Sequence, residues 1–294
     1  MPELPEVEVL VRHLQKVLPG RVVRGVHFGA HQAGKSTPHS DLERLLPGTR
    51  FKRVSRRAKY LLFNLETSTA GRNSLTLLAH LGMTGRLYLI PKHVAIPRHA
   101  TLIMNLGADH FIFEDSRRFG RMSLDLSVLE RLGPEPWDKT FTWQKLHAAL
   151  SGSRQPIKVR LLDQAMVAGV GNIYASEILF QAGIAPQIPA RNLSSSQCRK
   201  LHAAIRRVLR KAIDFGLSLQ LDWSHSGADR LFYYGQDSSE PAMAEENLRV
   251  YGREGLPCLK CHRSIQKLVQ AGRSTFFCPR CQTQTSRVPA PRKK

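Results

Sequence analysis

The chain is expected to fold as a multidomain α+β protein, because three textures succeed one another along its 294 residues: a helical opening leading into short β-type runs, a helical stretch, and a segment built around cysteines. Leu4, Val7, Val11, Leu14 and Leu18 recur at helical spacing and the segment stops at Pro19-Gly20. One amphipathic helix is therefore expected to begin at residue 2 itself. Along it Glu3, Glu6 and Glu8 precede Arg12, His13 and Lys16, the charge order that a helix dipole favours. From Arg21 to Arg121 the pattern becomes Val22-Val23, Phe51 to Val54, Tyr60 to Phe63, Leu75 to Leu78, Leu87 to Ile90, Thr101 to Leu106 and Phe111 to Phe113, broken by turns such as Gly71-Arg-Asn73 and Gly107-Ala-Asp109. Short runs of this kind predict a two-sheet β-sandwich packed against the leading helix.

Leu132-Gly-Pro-Glu-Pro-Trp137 has the Pro and Gly density of a linker. Helical patterns then cover Trp143 to Leu150, Pro156 to Ala165, Ile173 to Ala182 and Ser194 to Phe215. The last opens on a capping box, Ser194 with Gln197, and is expected to stop at Gly216. Its exposed faces carry Arg199, Lys200, Arg206, Arg207, Arg210 and Lys211. The expected division is a sandwich domain over 1–132, a linker over 133–142, a helical domain over 143–247, a cysteine unit over 248–285 and a basic tail over 286–294.

Lys and Arg number 44 against 23 Asp and Glu, a formal charge of +21. That field concentrates polyanions and makes nucleic acid the expected partner, although a generally solvated basic surface is the plain alternative. No apolar run approaches membrane-spanning length, and Met1-Pro-Glu-Leu-Pro-Glu is the opposite of a secretory leader. A cytosolic monomer without membrane contact is expected.

Four of the five cysteines fall as Cys258-x2-Cys261-x16-Cys278-x2-Cys281. Each pair presents two thiolates to one ion, and so short a segment needs a cross-link to fold, so the spacing predicts one structural Zn2+. Two disulfides are the alternative, disfavoured in the cytosol. Four sulfur ligands leave no open position for catalysis, and His262 is then a surface residue. Cys198, in the first turn of a helix, reads as a small buried residue. Between the pairs, Arg273-Ser-Thr-Phe-Phe277 reads as a hairpin arm that extends an arginine.

Removal of Met1 would leave Pro2 with a secondary amine, a nucleophile that can attack a carbon and form a cationic iminium. Glu3 and Glu6 lie within a turn of it, where a carboxyl group can serve as acid or base. Taken alone, Pro followed by acidic residues is also ordinary helix-start chemistry.

The wider string decides between these readings. Pro2-Glu-Leu-Pro-Glu-Val-Glu8 resembles the N-terminus of formamidopyrimidine-DNA glycosylases, whose endonuclease VIII relatives usually have Gly in place of Leu4. Arg56-Arg-Ala-Lys59-Tyr-Leu, His80-Leu-Gly-Met83-Thr-Gly85, Asp115-Ser-Arg117-Arg-Phe119-Gly120, Ile157-Lys158, Val167-Ala-Gly-Val-Gly-Asn172-Ile-Tyr-Ala-Ser-Glu177 and Val250-Tyr-Gly-Arg253 continue the similarity in family order to the terminal cysteines. It covers nearly the whole chain.

The resemblance implies a bifunctional glycosylase and abasic-site lyase that excises 8-oxoguanine and formamidopyrimidines from double-stranded DNA, also acts on abasic sites, and leaves a gap by β- and δ-elimination. The helical domain becomes a helix-two-turn-helix and the cysteine unit a zinc finger. Pro2 is implied as nucleophile, Glu3 as proton donor to the sugar, Lys59 as a lesion and phosphate contact active in the first elimination, and Arg273 as a phosphate contact active in the second. Met83, Arg117 and Phe119 are implied to enter the duplex as the damaged nucleotide swings out, with Arg117 on the orphaned cytosine. Lys158 and Asn172 are implied to grip phosphates; His80, His99 and Arg154 are implied to lie near the DNA. No catalytic metal or redox cofactor is called for. The chain departs from the family's Gly- and Ser/Thr-rich pattern at Gly216-Leu-Ser-Leu-Gln-Leu-Asp-Trp223 and onward to Glu245, the expected lesion-covering loop, and at Ser153-Arg154. The rivals are an endonuclease VIII-like enzyme for oxidised pyrimidines and a non-catalytic zinc-containing DNA-binding protein.

Overall fold

A computed structural model describes residues 2–29, 37–67, 74–218 and 248–283. They group into two compact units, residues 1–130 with 213–244 and residues 131–212 with 245–294. The first unit opens with α1 (Leu4–Val17), which begins two residues later than its periodicity suggests. Glu3 is the N-cap, with extended backbone, and its N–H donates to the Glu6 carboxylate at 2.7 Å. A capping box requires a non-helical cap residue, so Pro2 lies ahead of the helix. Leu4, Val7, Leu10, Val11 and Leu14 are buried on α1.

Two four-stranded antiparallel sheets follow. One runs in the order β1 (Gly25–Phe28), β6 (Ala100–Asn105), β7 (Asp109–Glu114), β5 (Arg86–Pro91); the other runs β2 (Arg50–Arg57), β3 (Tyr60–Glu66), β4 (Ser74–His80), β8 (Arg121–Ser123). On β3, Leu61, Phe63 and Leu65 are buried while the residues between them are half-buried, the alternation of a strand with one face on the core. Both sheets and α1 share that core, and the rings of Phe51, Phe63 and Phe111 meet edge to face at its centre. The stretch from 21 to 121 is not wholly β. After Pro38 it forms α2 (His39–Leu45), which sends Leu42 into the core. Val22 makes a single bridge to Arg50 rather than a strand. The expected turn at 71–73 lies outside the described residues.

The second unit contains α3 (Trp143–Ser151), α4 (Ile157–Leu161) and α5 (Asn172–Ala182), and begins α6 (Ser195–Ser218). α4 stops short of the predicted Ala165 because Asp163 and Gln164 turn back to accept from the backbone N–H groups of Ala165 and Gly169. The Pro-rich stretch before α3 is firmly packed: Gly133 N–H donates to Gln164 O, Ala168 N–H donates to Pro134 O, and a Cβ on Gly133 would lie 2.1 Å from Ala165 O. The capping box of α6 forms as predicted. Its stop does not: the helix runs through Gly216, where a Cβ would lie 2.7 Å from Val9 Cγ2. Glycine here permits close packing on α1, within the first unit, instead of ending a helix.

A hairpin of β9 (Gln266–Gln270) and β10 (Arg273–Phe277) completes the second unit, joined by Ala271 and Gly272, both at positive φ. Two buried polar side chains fasten this end to the helices. Glu177 accepts from the backbone N–H groups of Arg249, Val250 and Tyr251 at 2.9 Å each. Gln282 donates to Ile184 O and accepts from Cys278 N–H. Residues 219–247, which hold most of the expected lesion-covering loop, and the tail from 284 onward lie outside the described residues.

Candidate active site and nucleic-acid interface

In the first unit, Pro2 and Glu3 are buried at the head of α1, Glu3 at 1% exposure. Lys59 occupies the tight turn between β2 and β3, next to Ala58 at positive φ. A strut links these two elements. Glu8 on α1 binds Arg56 Nε at 2.7 Å, and Arg56 Nη1 donates to Ala58 O at 2.9 Å. Burial alone would raise Glu8, but Arg56 and Arg12 outweigh it and hold the carboxyl below its usual range. The Glu6 carboxylate, a candidate acid or base, is committed to the N–H of Glu3.

His80 pairs across the sheet with Tyr60, the residue after Lys59. Burial, together with the charges of Arg121 and Lys59, lowers its pKa to about 4. Its Nδ1 accepts from Gly82 N–H at 3.1 Å, so near neutral pH the ring is uncharged and carries its proton on Nε2.

Two turns beyond His80 carry Met83, Arg117 and Phe119, the side chains expected to enter the duplex. Read by composition, Met83 and Phe119 belong in a core; instead they are 38% and 55% exposed. The Arg117 guanidinium lies 5.2 Å from the Phe119 ring centroid. Beneath them the two turns touch backbone to backbone, and a Cβ on Gly82 would lie 2.5 Å from Gly120 N. The buried Asp115 carboxylate accepts from Thr84 Oγ1, from Arg117 N–H at 3.2 Å and from Gly120 N–H at 2.6 Å. Its own N–H donates to the carbonyl of His99.

In the second unit Lys158 is wholly buried on α4. Its ammonium donates to Asn172 Oδ1 at 2.6 Å, Ser274 O at 2.8 Å and Thr275 Oγ1 at 2.8 Å. Asn172, the first residue of α5, also donates to Ser274 O. The head of α5 and the turn end of the β9–β10 hairpin are thus locked around one ammonium. Arg273 projects, exposed, from the tip of that hairpin. Arg154 is exposed on the loop before α4 and takes no part in this cluster.

The four sulfurs of Cys258, Cys261, Cys278 and Cys281 lie within 4.8 Å of one another, with separations of 3.9 Å for Cys258–Cys281 and 3.4 Å for Cys261–Cys278. A tetrahedral Zn2+ with bonds of about 2.3 Å requires sulfurs about 3.8 Å apart, whereas a disulfide requires about 2.05 Å. The set fits one structural zinc. Backbone N–H groups of Lys260 and Cys281 point at Cys258 and Cys278 sulfur, as expected around metal thiolates.

Residues 1–122 match the formamidopyrimidine-DNA glycosylase N-terminal domain, residues 132–221 the H2TH domain of the same enzymes, and residues 255–284 the zinc finger found in FPG and IleRS. The formamidopyrimidine-DNA glycosylase of Thermus thermophilus is 39% identical over 289 residues, covering 96% of this chain and 98% of that protein. The chain belongs to the formamidopyrimidine-DNA glycosylase family. Membership makes it a DNA glycosylase, and the Paracoccus denitrificans glycosylase of the family is also 39% identical, over 298 residues, covering 96% of this chain and all of that one. Among solved glycosylase structures, Lactococcus lactis Fpg bound to N7-benzyl-Fapy-dG DNA superposes with a TM-score of 0.82 at 32% identity, covering 96% of this chain and 100% of that one. Its complex with abasic-site DNA gives 0.81 at 31%, covering 96% and 99%. The residues overlooked in the sequence are supports of the candidate residues: Glu8, Thr84 and Asp115 in the first unit, and Glu177 and Thr275 in the second. Asp115 carried a local signal, the Asp-x-Arg spacing of a side chain that caps the amide two residues on, and Glu8 the i,i+4 spacing to Arg12; the other contacts join residues far apart in sequence.

Proposed function

We propose that the chain excises oxidised purines, 8-oxoguanine and formamidopyrimidines, from duplex DNA and then nicks the strand at the abasic sugar. The observation that carries this reading is the pair of apolar side chains, Met83 and Phe119, held in solvent beside Arg117 on a chain of charge +21. Exposed apolar groups gathered on two touching turns mark an interaction surface, and filling the gap left by an extruded nucleotide is a use that fits them. The Lactococcus relative bound to Fapy-dG and abasic-site DNA supports the substrate class.

In this reading the Pro2 imino nitrogen, freed of Met1, attacks C1′. The glycosidic bond breaks toward the base, which takes up a proton, and O4′ takes a proton from Glu3 as the ring opens to an iminium. Loss of a C2′ proton, aided by Lys59, expels the 3′ phosphate; a further proton loss, aided by Arg273, expels the 5′ phosphate. These steps use no catalytic metal and no redox cofactor. Glu6 serves by capping Glu3. Asn172, Arg154, His99 and the Nε2–H of His80 bind phosphates, and Arg117 takes the orphaned cytosine. Lys158, its three donors engaged inside the protein, acts by holding Asn172 and the Arg273 hairpin in place. The protein works as a cytosolic monomer; among the described residues no helix is long and apolar enough to cross a membrane.

Oxidised pyrimidines are a second substrate class, favoured by the 32% identical Lactococcus enzyme having been crystallised with oxidised-pyrimidine DNA. Borohydride trapping on 8-oxoguanine duplex tests the mechanism. The native N-terminus should give a covalent complex, and one extra residue ahead of Pro2, which turns the amine into an amide, should abolish it. Equal trapping by both proteins would refute Pro2 as nucleophile. Faster release of thymine glycol than of 8-oxoguanine would exchange the order of the substrate classes.

A further inference from the structure

We infer that Asp115 and Thr84 form a bracket that holds the two wedge turns at one fixed spacing, making them positioning residues for base extrusion; this rests on the wedge reading above. The wedge groups lie on separate turns, Met83 in the turn after β4 and Arg117 with Phe119 in the turn before β8. Side chains that enter a base stack together must keep their separation under load, and surface turns are ordinarily compliant.

Here they are not left to themselves. Asp115 binds Thr84 of the first turn with Oδ1 and Gly120 of the second with Oδ2, while the N–H of Arg117 is shared between Asp115 Oδ1 at 3.2 Å and Thr84 Oγ1 at 3.3 Å. One buried carboxylate therefore gathers donors from both turns. The backbones have closed up to match. Gly82 is at φ +62 with no room for a Cβ against Phe119 and Gly120, and Gly120 has none against Phe113 and Asp115. Between them Arg118 adopts φ +59, a left-handed conformation unfavourable for a side chain of its size. A carboxylate accepting from N–H groups on either side of Arg118 stabilises that turn against relaxing to an ordinary one. Phe119 thereby stays outward with Arg117 alongside it.

Asp115→Asn keeps the shape and sets an amide donor against the donors that the carboxylate accepts. Thr84→Val removes the hydroxyl, and Thr84→Ser restores it. Phe119→Ala removes the wedge itself. Each variant is compared with the unaltered protein in single-turnover release of 8-oxoguanine and in cleavage of a preformed abasic site in the same duplex. The abasic sugar has no base to pull from the stack, so the bracket should matter far less there. Base release by Asp115→Asn should fall roughly tenfold or more, the scale of one lost charge-assisted hydrogen bond, with abasic cleavage within about twofold. Thr84→Val should show a smaller fall in the same ratio and Thr84→Ser a recovery. The variant carrying both Asp115→Asn and Thr84→Val should lose less than the two single losses combined, since the hydroxyl acts in large part through the carboxylate it binds. Equal losses in both assays would mean a merely structural role and overturn the inference. So would unchanged base release in Asp115→Asn while Phe119→Ala is slow. Unchanged base release in Phe119→Ala would overturn the wedge reading beneath it. Should Asp115→Asn fail to fold, the Thr84 pair decides alone: Val equal to Ser in base release overturns the bracket.

Discussion

Lys158 carries its ammonium where solvent does not reach, with Asn172, Ser274 and Thr275 accepting its hydrogen bonds. A buried ammonium is tolerated only when it is fully bonded, and removing it takes a donor from Asn172 Oδ1 and Thr275 Oγ1 and leaves Ser274 O with Asn172 alone. Lys158→Met should therefore cost about 2–4 kcal/mol of stability, read as a lowered thermal midpoint. It should weaken DNA binding while leaving the salt dependence nearly unchanged. Arg273→Gln should lower the slope of log affinity against log salt by about 0.9, one phosphate contact. A slope that falls equally in Lys158→Met would place its ammonium on the DNA after all. The zinc ligands were legible in the sequence, because their spacing is local and their chemistry narrow. The reading of Pro2 as nucleophile rests on the likeness of the whole string, since helix-start chemistry uses the same residues. The distant partners, Thr84 of Asp115 and Thr275 of Lys158, were not legible, because a hydrogen bond between residues 31 or 117 positions apart leaves no local pattern.

At the scale of elements, hydrophobic periodicity found α1, α3, α5 and most strands, and failed where packing overrides local pattern. α2 was hidden in a region of β-type texture, with only Leu42 fully buried to mark it. β8 is three residues long and gains its place from pairing with Leu78 to His80. Gly216 read as a helix stop from its identity alone, yet it is a contact point. Gly216→Ala should thus destabilise by about 1–2 kcal/mol through overpacking on Val9, against the gain of up to about 1 kcal/mol that helix propensity alone predicts. Pairing it with Val9→Ala should recover part of the loss in chemical denaturation; a stabilised single variant would show that the helix simply shifts. The zinc hairpin has a small core of Val250, Ile265, Phe276 and two of the cysteines. Chelation, or Cys258→Ser, should unfold it and abolish DNA binding, with one zinc per chain in the intact protein by atomic absorption. Binding that survives metal loss would contradict a role for the hairpin.

For the whole molecule, charge and proton uptake set the working range. His13 and His80 each fall to about 4, chiefly through burial, with Lys16 adding for His13 and Arg121 and Lys59 for His80. Unfolded, each takes its proton near 6.5; folded, each resists until about 4. The unfolded chain binds more protons across that interval, so the contribution is intact above 6.5 and is lost as pH falls toward 4. Glu8, held low by its arginines, adds a loss at still more acid pH. The thermal midpoint should decline from pH 6.5 to 4, and less steeply in His80→Asn; a flat profile would show that the folded rings protonate freely.

The most direct test of the central claim is to locate the covalent bond. After borohydride reduction on lesion-containing duplex, proteolysis and mass spectrometry should find the sugar remnant on the nitrogen of Pro2, in a peptide that has lost Met1. A remnant on Lys59, or on any other side chain, would contradict the account.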